Sequence, residues 1–133
     1  MSIGIGGSAR LVIQGELHAV YEYYAYDLNN EQLRNSDRCY DGLITVEKSC
    51  FPKIQIKEKG TGNREKELEL APVSPDVNYS ELILSQKIIV NNSRFCWKIM
   101  ENRIGYIAMH LLFRIFERYR EDSELPEKVS YHV

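Results

Sequence analysis

Cysteine, proline and glycine are all scarce in this chain, and long apolar runs are missing. The three cysteines (Cys39, Cys50, Cys96) are an odd number without metal-ligand spacing, which predicts reduced thiols, a cytoplasmic setting and no metal site. Eight glycines and four prolines in 133 residues are too few for a collagen-like or low-complexity chain. No stretch approaches the ~20 consecutive apolar residues of a membrane helix, so no membrane role is expected. The opening run from Met1 to Arg10 has neither a basic start nor a sustained apolar segment and does not read as a signal peptide. A large charge of one sign is lacking too. The formal net charge is −2, whereas phosphate recognition needs a concentrated basic footprint, and this speaks against nucleic acid as a partner.

What is present is an ordinary globular composition, 44% hydrophobic and 27% charged, which fits one domain over residues 1–133 with a core of its own. The charge comes in blocks. Residues 16–47 carry seven acids against Arg34 and Arg38; residues 48–66 carry six bases against Glu58 and Glu65. Residues 67–86 are acidic again, 87–120 basic, and 121–133 acidic. Such blocks either cancel between neighbouring strands or divide the surface into acidic and basic faces.

Strand patterns predict β-structure at 9–14, 17–28, 43–46, 87–90 and 95–99, with a charged hairpin pairing 54–56 and 68–70. In the second of these, alternation puts Leu17, Ala19, Tyr21, Tyr23 and Ala25 on one face and His18, Val20, Glu22, Tyr24 and Tyr26 on the other. Asn29 with Gln32 suggests a short capped turn, and Asp41-Gly42 a turn before the third strand. Ser74-Pro75-Asp76 is a good helix start, predicting a short helix over 75–85. The strongest signal is a helix over 101–121, with Ile104, Ile107, Ala108, Leu111, Leu112, Ile115, Phe116 and Tyr119 on one broad arc. Tyr106, Met109 and Phe113 widen that arc, and a narrow polar strip of Arg103, His110, Arg114, Glu117 and Glu121 remains. The fold expected is α+β: a twisted, mainly antiparallel sheet of about five or six strands packed on this helix.

Chemical motifs are weak. Gly4 to Ala9 matches GxGxxA formally, but no strand precedes it and no helix follows, so it reads as a flexible or tight lead-in and no cofactor is expected. No HxxxH or CxxC pairing exists, and no catalytic residue is assigned. Cys39, between Arg38 and Tyr40, lacks a base that the sequence can place beside it. His132, next to last, is expected to be mobile. The strip Arg103, His110, Arg114 and Glu117 offers an anion or ligand site, the basis of an alternative reading as a small enzyme or ligand-binding domain.

Tyrosine is the compositional excess: nine residues, four of them in Tyr21-Glu-Tyr-Tyr-Ala-Tyr26, inside the acidic block. Tyrosine supplies rigid contact area with a polar tip and is enriched in interfaces. Glu22, Tyr24, Tyr26, Asp27, Asp37, Tyr40 and Asp41 therefore form the candidate face for a basic protein partner. The expected function is non-catalytic protein binding, of the general character of immunity or antitoxin-like proteins that neutralise a basic toxin nuclease.

Overall fold

The computed structural model describes residues 4–51, 77–100 and 102–133. Its five strands are β1 (Ile5–Gln14), β2 (His18–Asp27), β3 (Gly42–Glu47), β4 (Ile88–Asn91) and β5 (Lys128–His132). They form one sheet in the order β4-β3-β2-β1-β5 with every neighbour antiparallel. A six-residue helix, α1 (Tyr79–Leu84), and a 17-residue helix, α2 (Tyr106–Asp122), complete an α+β architecture. None of the described helices is long and apolar enough to cross a membrane.

Strand alternation decides which face is covered. Ala9, Ala19, Tyr21, Tyr23, Ala25, Ile44, Val46, Ile88 and Val129 point inward and are buried against α2, which contributes Ile107, Ala108, Met109, Leu111, Leu112, Ile115 and Phe116. The inward set of β2 is the expected one except Leu17, which precedes the strand and is exposed. On the far side of α2, Phe51 stacks on Phe116 at 4.5 Å, and Tyr79 of α1 meets Phe113 at 4.9 Å. A helix apolar around most of its circumference is thus covered on both sides.

The glycine-rich start is part of the sheet rather than a lead-in. At Gly7 an added Cβ would lie 2.2 Å from the Tyr24 carbonyl oxygen and 2.8 Å from Cγ2 of Ile107, so the helix approaches β1 where no side chain intervenes. Gly42 serves the same purpose under the Tyr23 ring, where a Cβ would fall 2.2 Å from the ring edge.

Other expectations are corrected. The helix predicted from residue 101 begins at Tyr106, because Arg103 takes a left-handed φ of 71° and the preceding segment is tied elsewhere. Asn92 Oδ1 accepts from Gly105 N at 2.8 Å, and Asn92 Nδ2 donates to Arg103 O at 2.8 Å. The strand expected over 95–99 is a turn region with a single bridge between Ile99 and Gly105. The short helix runs from Tyr79, with Asn78 capping it by accepting from Glu81 N. The turn after β2 is capped by Asn30, not Asn29. The sheet contains a strand that was not expected, β5, and His132 lies within it. The hairpin at 54–56 and 68–70 and the Ser74-Pro75-Asp76 start lie outside the described residues.

Candidate functional site

The register places one set of side chains on the outer sheet face, opposite α2. Glu22 pairs with Arg10 on β1 and Leu43 on β3, and Tyr24 pairs with Ser8. Val20 pairs with Ile13 and Thr45, and Thr45 with Ile89. Tyr26 lies beside Gly6, which in turn faces His132. The segment 28–41 then folds back over the Tyr24–Tyr26 end.

Asn35 holds that fold-back. Buried and with a left-handed φ of 49°, it donates through Nδ2 to Ala25 O at 3.0 Å and accepts from Cys39 N at 2.7 Å. Arg38 follows with φ 50° and donates to the Asn35 and Arg34 carbonyls, which fixes its guanidinium 4.2 Å from the Tyr26 ring centre. Tyr40 arrives edge-on to Tyr24 at 4.9 Å. Its ring carries the Arg10 guanidinium at 3.8 Å, and Arg10 Nε also pairs with the Glu22 carboxylate. The outer face therefore bears a ladder of three rings with a cation at each end, Arg38, Tyr26, Tyr24, Tyr40, Arg10, ending on Glu22.

The expected partner-binding residues fare differently. Glu22, Tyr24, Tyr26 and Tyr40 are brought together. Tyr26 is covered: it is 9% exposed, bonded through its hydroxyl to His132 Nδ1 at 2.8 Å, and its phenol is pushed up in pKa by burial against the opposing pull of Arg38. Asp27 is 5% exposed, and its carboxylate accepts from Asn29 N. Asp37 is exposed on the fold-back. Asp41 sits at the start of β3, where it accepts from Arg94 N at 3.1 Å and Arg94 Nε at 3.2 Å. Burial works against its charge, but the Ser93 hydroxyl and the Arg94 donors outweigh it and hold the carboxyl below its ordinary pKa. Three of the four acids thus have partners within the chain, and the face is zwitterionic rather than acidic.

No known protein family, curated protein or solved structure matches this chain. Its chemistry is read from its own residues.

Three members of the alternative strip, His110, Arg114 and Glu117, lie on α2, and the fourth does not. Arg103 lies outside α2, and Arg114 pairs with Glu117 at 3.7 Å along the helix. His110 stacks on Tyr131 at 4.2 Å and contacts Tyr106 at 4.5 Å, and burial together with Arg114 lowers its pKa. A cleft of about 580 Å³ beside the β1–β2 turn, lined by Gln14, Lys48, Phe51, Tyr119 and Leu125 among others, includes neither His110 nor Cys39. Among the described residues no His, Cys, Asp and Glu cluster is grouped for a metal.

Arg10, Arg38, Asn35 and His132 shape the face and are not among the site residues expected from the sequence. Arg10 carried a signal, a lone base in a strand that pairs with the acidic β2. Asn35 and Arg38 carried none, because their roles depend on left-handed backbone within an irregular segment.

Proposed function

We propose that this chain is a non-catalytic protein-binding domain of the immunity or antitoxin-like kind, and that it neutralises a basic partner through the outer face of its sheet. The observation that carries this reading is the character of that face. The half-buried rings of Tyr24 and Tyr40 share the outer sheet face with Leu43, Ile89 and Ile13, which are 39%, 46% and 57% exposed. Among the described residues, both helices lie on the opposite side of the sheet. Rings and aliphatic side chains around the Arg10–Glu22 pair, with the further carboxylates of Asp37 and Glu47, have the mixed composition of a protein interface.

The division of labour follows from general interface energetics. Rim carboxylates steer a basic partner, so association slows as added salt shortens the Debye length below about 8 Å. Buried rings hold the complex once docked. The test is the affinity, by calorimetry, of a basic partner isolated from the source cell. Tyr24→Ala and Tyr40→Ala are each expected to weaken binding by about tenfold or more, the loss typical of an aromatic anchor, with little change in melting temperature. A partner that binds both variants as tightly as the parent, or whose association rate ignores salt, overturns the reading.

A further inference from the structure

Resting on that reading, we infer that the Glu22–Tyr40 pair is a seat for an arginine side chain of the partner, and that Arg10 occupies this seat in the free protein. A guanidinium is recognised by two features: a carboxylate in its plane and an aromatic ring against its face. Glu22 and Tyr40 supply both to Arg10. Tyr24 also packs on Tyr40, with centroids 4.9 Å apart and ring planes nearly perpendicular.

The occupant is held less firmly than the seat. Side-chain exposure is 52% for Arg10 against 24% for Glu22. Both residues stand on interior strands directly opposite one another, and the difference lies in the Arg10 side chain, which is longer and more exposed. An incoming arginine can exchange with Arg10 without leaving any charge unpaired in a buried place, since the displaced Arg10 head returns to water. The exchange selects for arginine. A lysine ammonium, a hydrated point charge, does not reproduce flat stacking on Tyr40 together with an in-plane bond to Glu22. Arg38, stacked on Tyr26, does not vacate so readily, because its guanidinium also donates to two backbone carbonyls. Glu22 is the carboxylate of the seat, and Lys128 on β5 stands opposite Arg10 in the register.

The probes are two short synthetic peptides, one alternating arginine with glycine and one alternating lysine with glycine. Binding is followed by calorimetry and by the NMR signals of the Tyr40 ring. Emptying the seat with Arg10→Ala is expected to tighten arginine-peptide binding by about tenfold, the combined worth of one ion pair and one cation–π contact. Adding Glu22→Gln to Arg10→Ala abolishes the gain, and the lysine peptide gains less. Should Arg10→Ala lower the melting temperature, Arg10→Met keeps the aliphatic stem while removing the guanidinium and serves as the test. An Arg10 variant that folds like the parent but binds the arginine peptide no more tightly overturns the seat. So does a gain that survives Glu22→Gln or is equal for lysine. The two readings separate cleanly. If the captured partner depends on Tyr40 but is weakened by Arg10→Ala, the binding face stands and the seat falls; if it ignores Tyr24 and Tyr40, the face itself falls.

Discussion

Single residues in this chain owe their roles to the backbone that carries them. Tyr21 and Tyr23 are fully buried, yet neither leaves a polar group stranded. The Tyr21 hydroxyl donates to Pro126 O at 2.6 Å, and the Tyr23 hydroxyl accepts from Ser93 N at 2.9 Å. Burial pushes both phenols well above the ordinary tyrosine pKa. Their adjacent residues, Glu22 and Tyr24, face the other way. His110 is the residue whose protonation matters. Burial first, then the Arg114 charge, lowers its pKa, so the folded protein binds its proton less readily than the unfolded chain does. His110 therefore contributes stability that is fully present above the ordinary histidine pKa near 6.5 and is lost as pH falls through that value toward the depressed folded one. Between about pH 7 and about pH 5, the melting temperature of the parent is expected to fall further than that of His110→Phe, which keeps a ring against Tyr131 but cannot titrate. Parallel melting curves for the two proteins across that range would remove His110 from the pH response.

At the scale of elements, what was legible in the sequence is what repeats. The inward face of β2 and the apolar arc of α2 follow from periods of two and 3.6 residues sustained over many positions. The errors sit where irregular backbone interrupts a period. Ile104 fits the helical arc and is buried, but it precedes the helix, because Asn102 Oδ1 accepts from Ile104 N at 3.1 Å in place of a helical partner. The β1–β2 hairpin holds the most consequential case. Counting outward from the pair Gln14–Ala19 would set Arg10 opposite Tyr23 on the buried face. An irregularity between Leu11 and Ile13 shifts the register so that Arg10 meets Glu22 outside. A sequence shows no sign of that extra residue, and the cation–ring ladder depends on it. β5 had an alternating signal, with Val129 inward and Lys128 outward, but over five residues it was too short to stand out. For α2 the expectation is direct. Leu111→Asp places an unpaired charge at a fully buried position and should unfold the protein, at a cost of several kcal/mol. Glu117→Ala removes only an exposed ion pair with Arg114 and should change stability by less than ~1 kcal/mol in a denaturant titration. Equal losses for the two substitutions would contradict the orientation of the helix.

The whole molecule is closed by its last strand. Among the described residues two ion pairs cross the fold, Arg10 with Glu22 and Asp41 with Arg94, and the second joins an acidic block of the sequence to a basic one. The sheet order places residues 128–132 beside residues 6–10, and β1 is thereby held between β2 and β5. Backbone bonds reinforce the join: Gly4 N donates to Val133 O at 3.1 Å, Val133 N to Ile5 O at 2.9 Å, and Leu11 N to Glu127 O at 2.9 Å. Side chains do the same, through Tyr21 to Pro126 and Tyr26 with His132, while α2 rests on β5 and β1 together. Part of the apolar side of the β1–β2 hairpin and of α2 is buried against β5. The described elements are therefore expected to unfold in one cooperative transition. Far-UV circular dichroism and the fluorescence of Trp97, which lies beyond the sheet and packs edge-on to Tyr106 at 5.3 Å, should report the same midpoint in denaturant. Removing residues 128–133 exposes Ala9 and strips His110 of its stacking partner, and it turns β1 into a bare edge strand open to other chains. That truncated chain is expected to lose the cooperative transition and to aggregate. A truncated protein that stays monomeric and melts within a few degrees of the parent, or two separate midpoints in the full chain, would show that the first strands and α2 form a unit without β5.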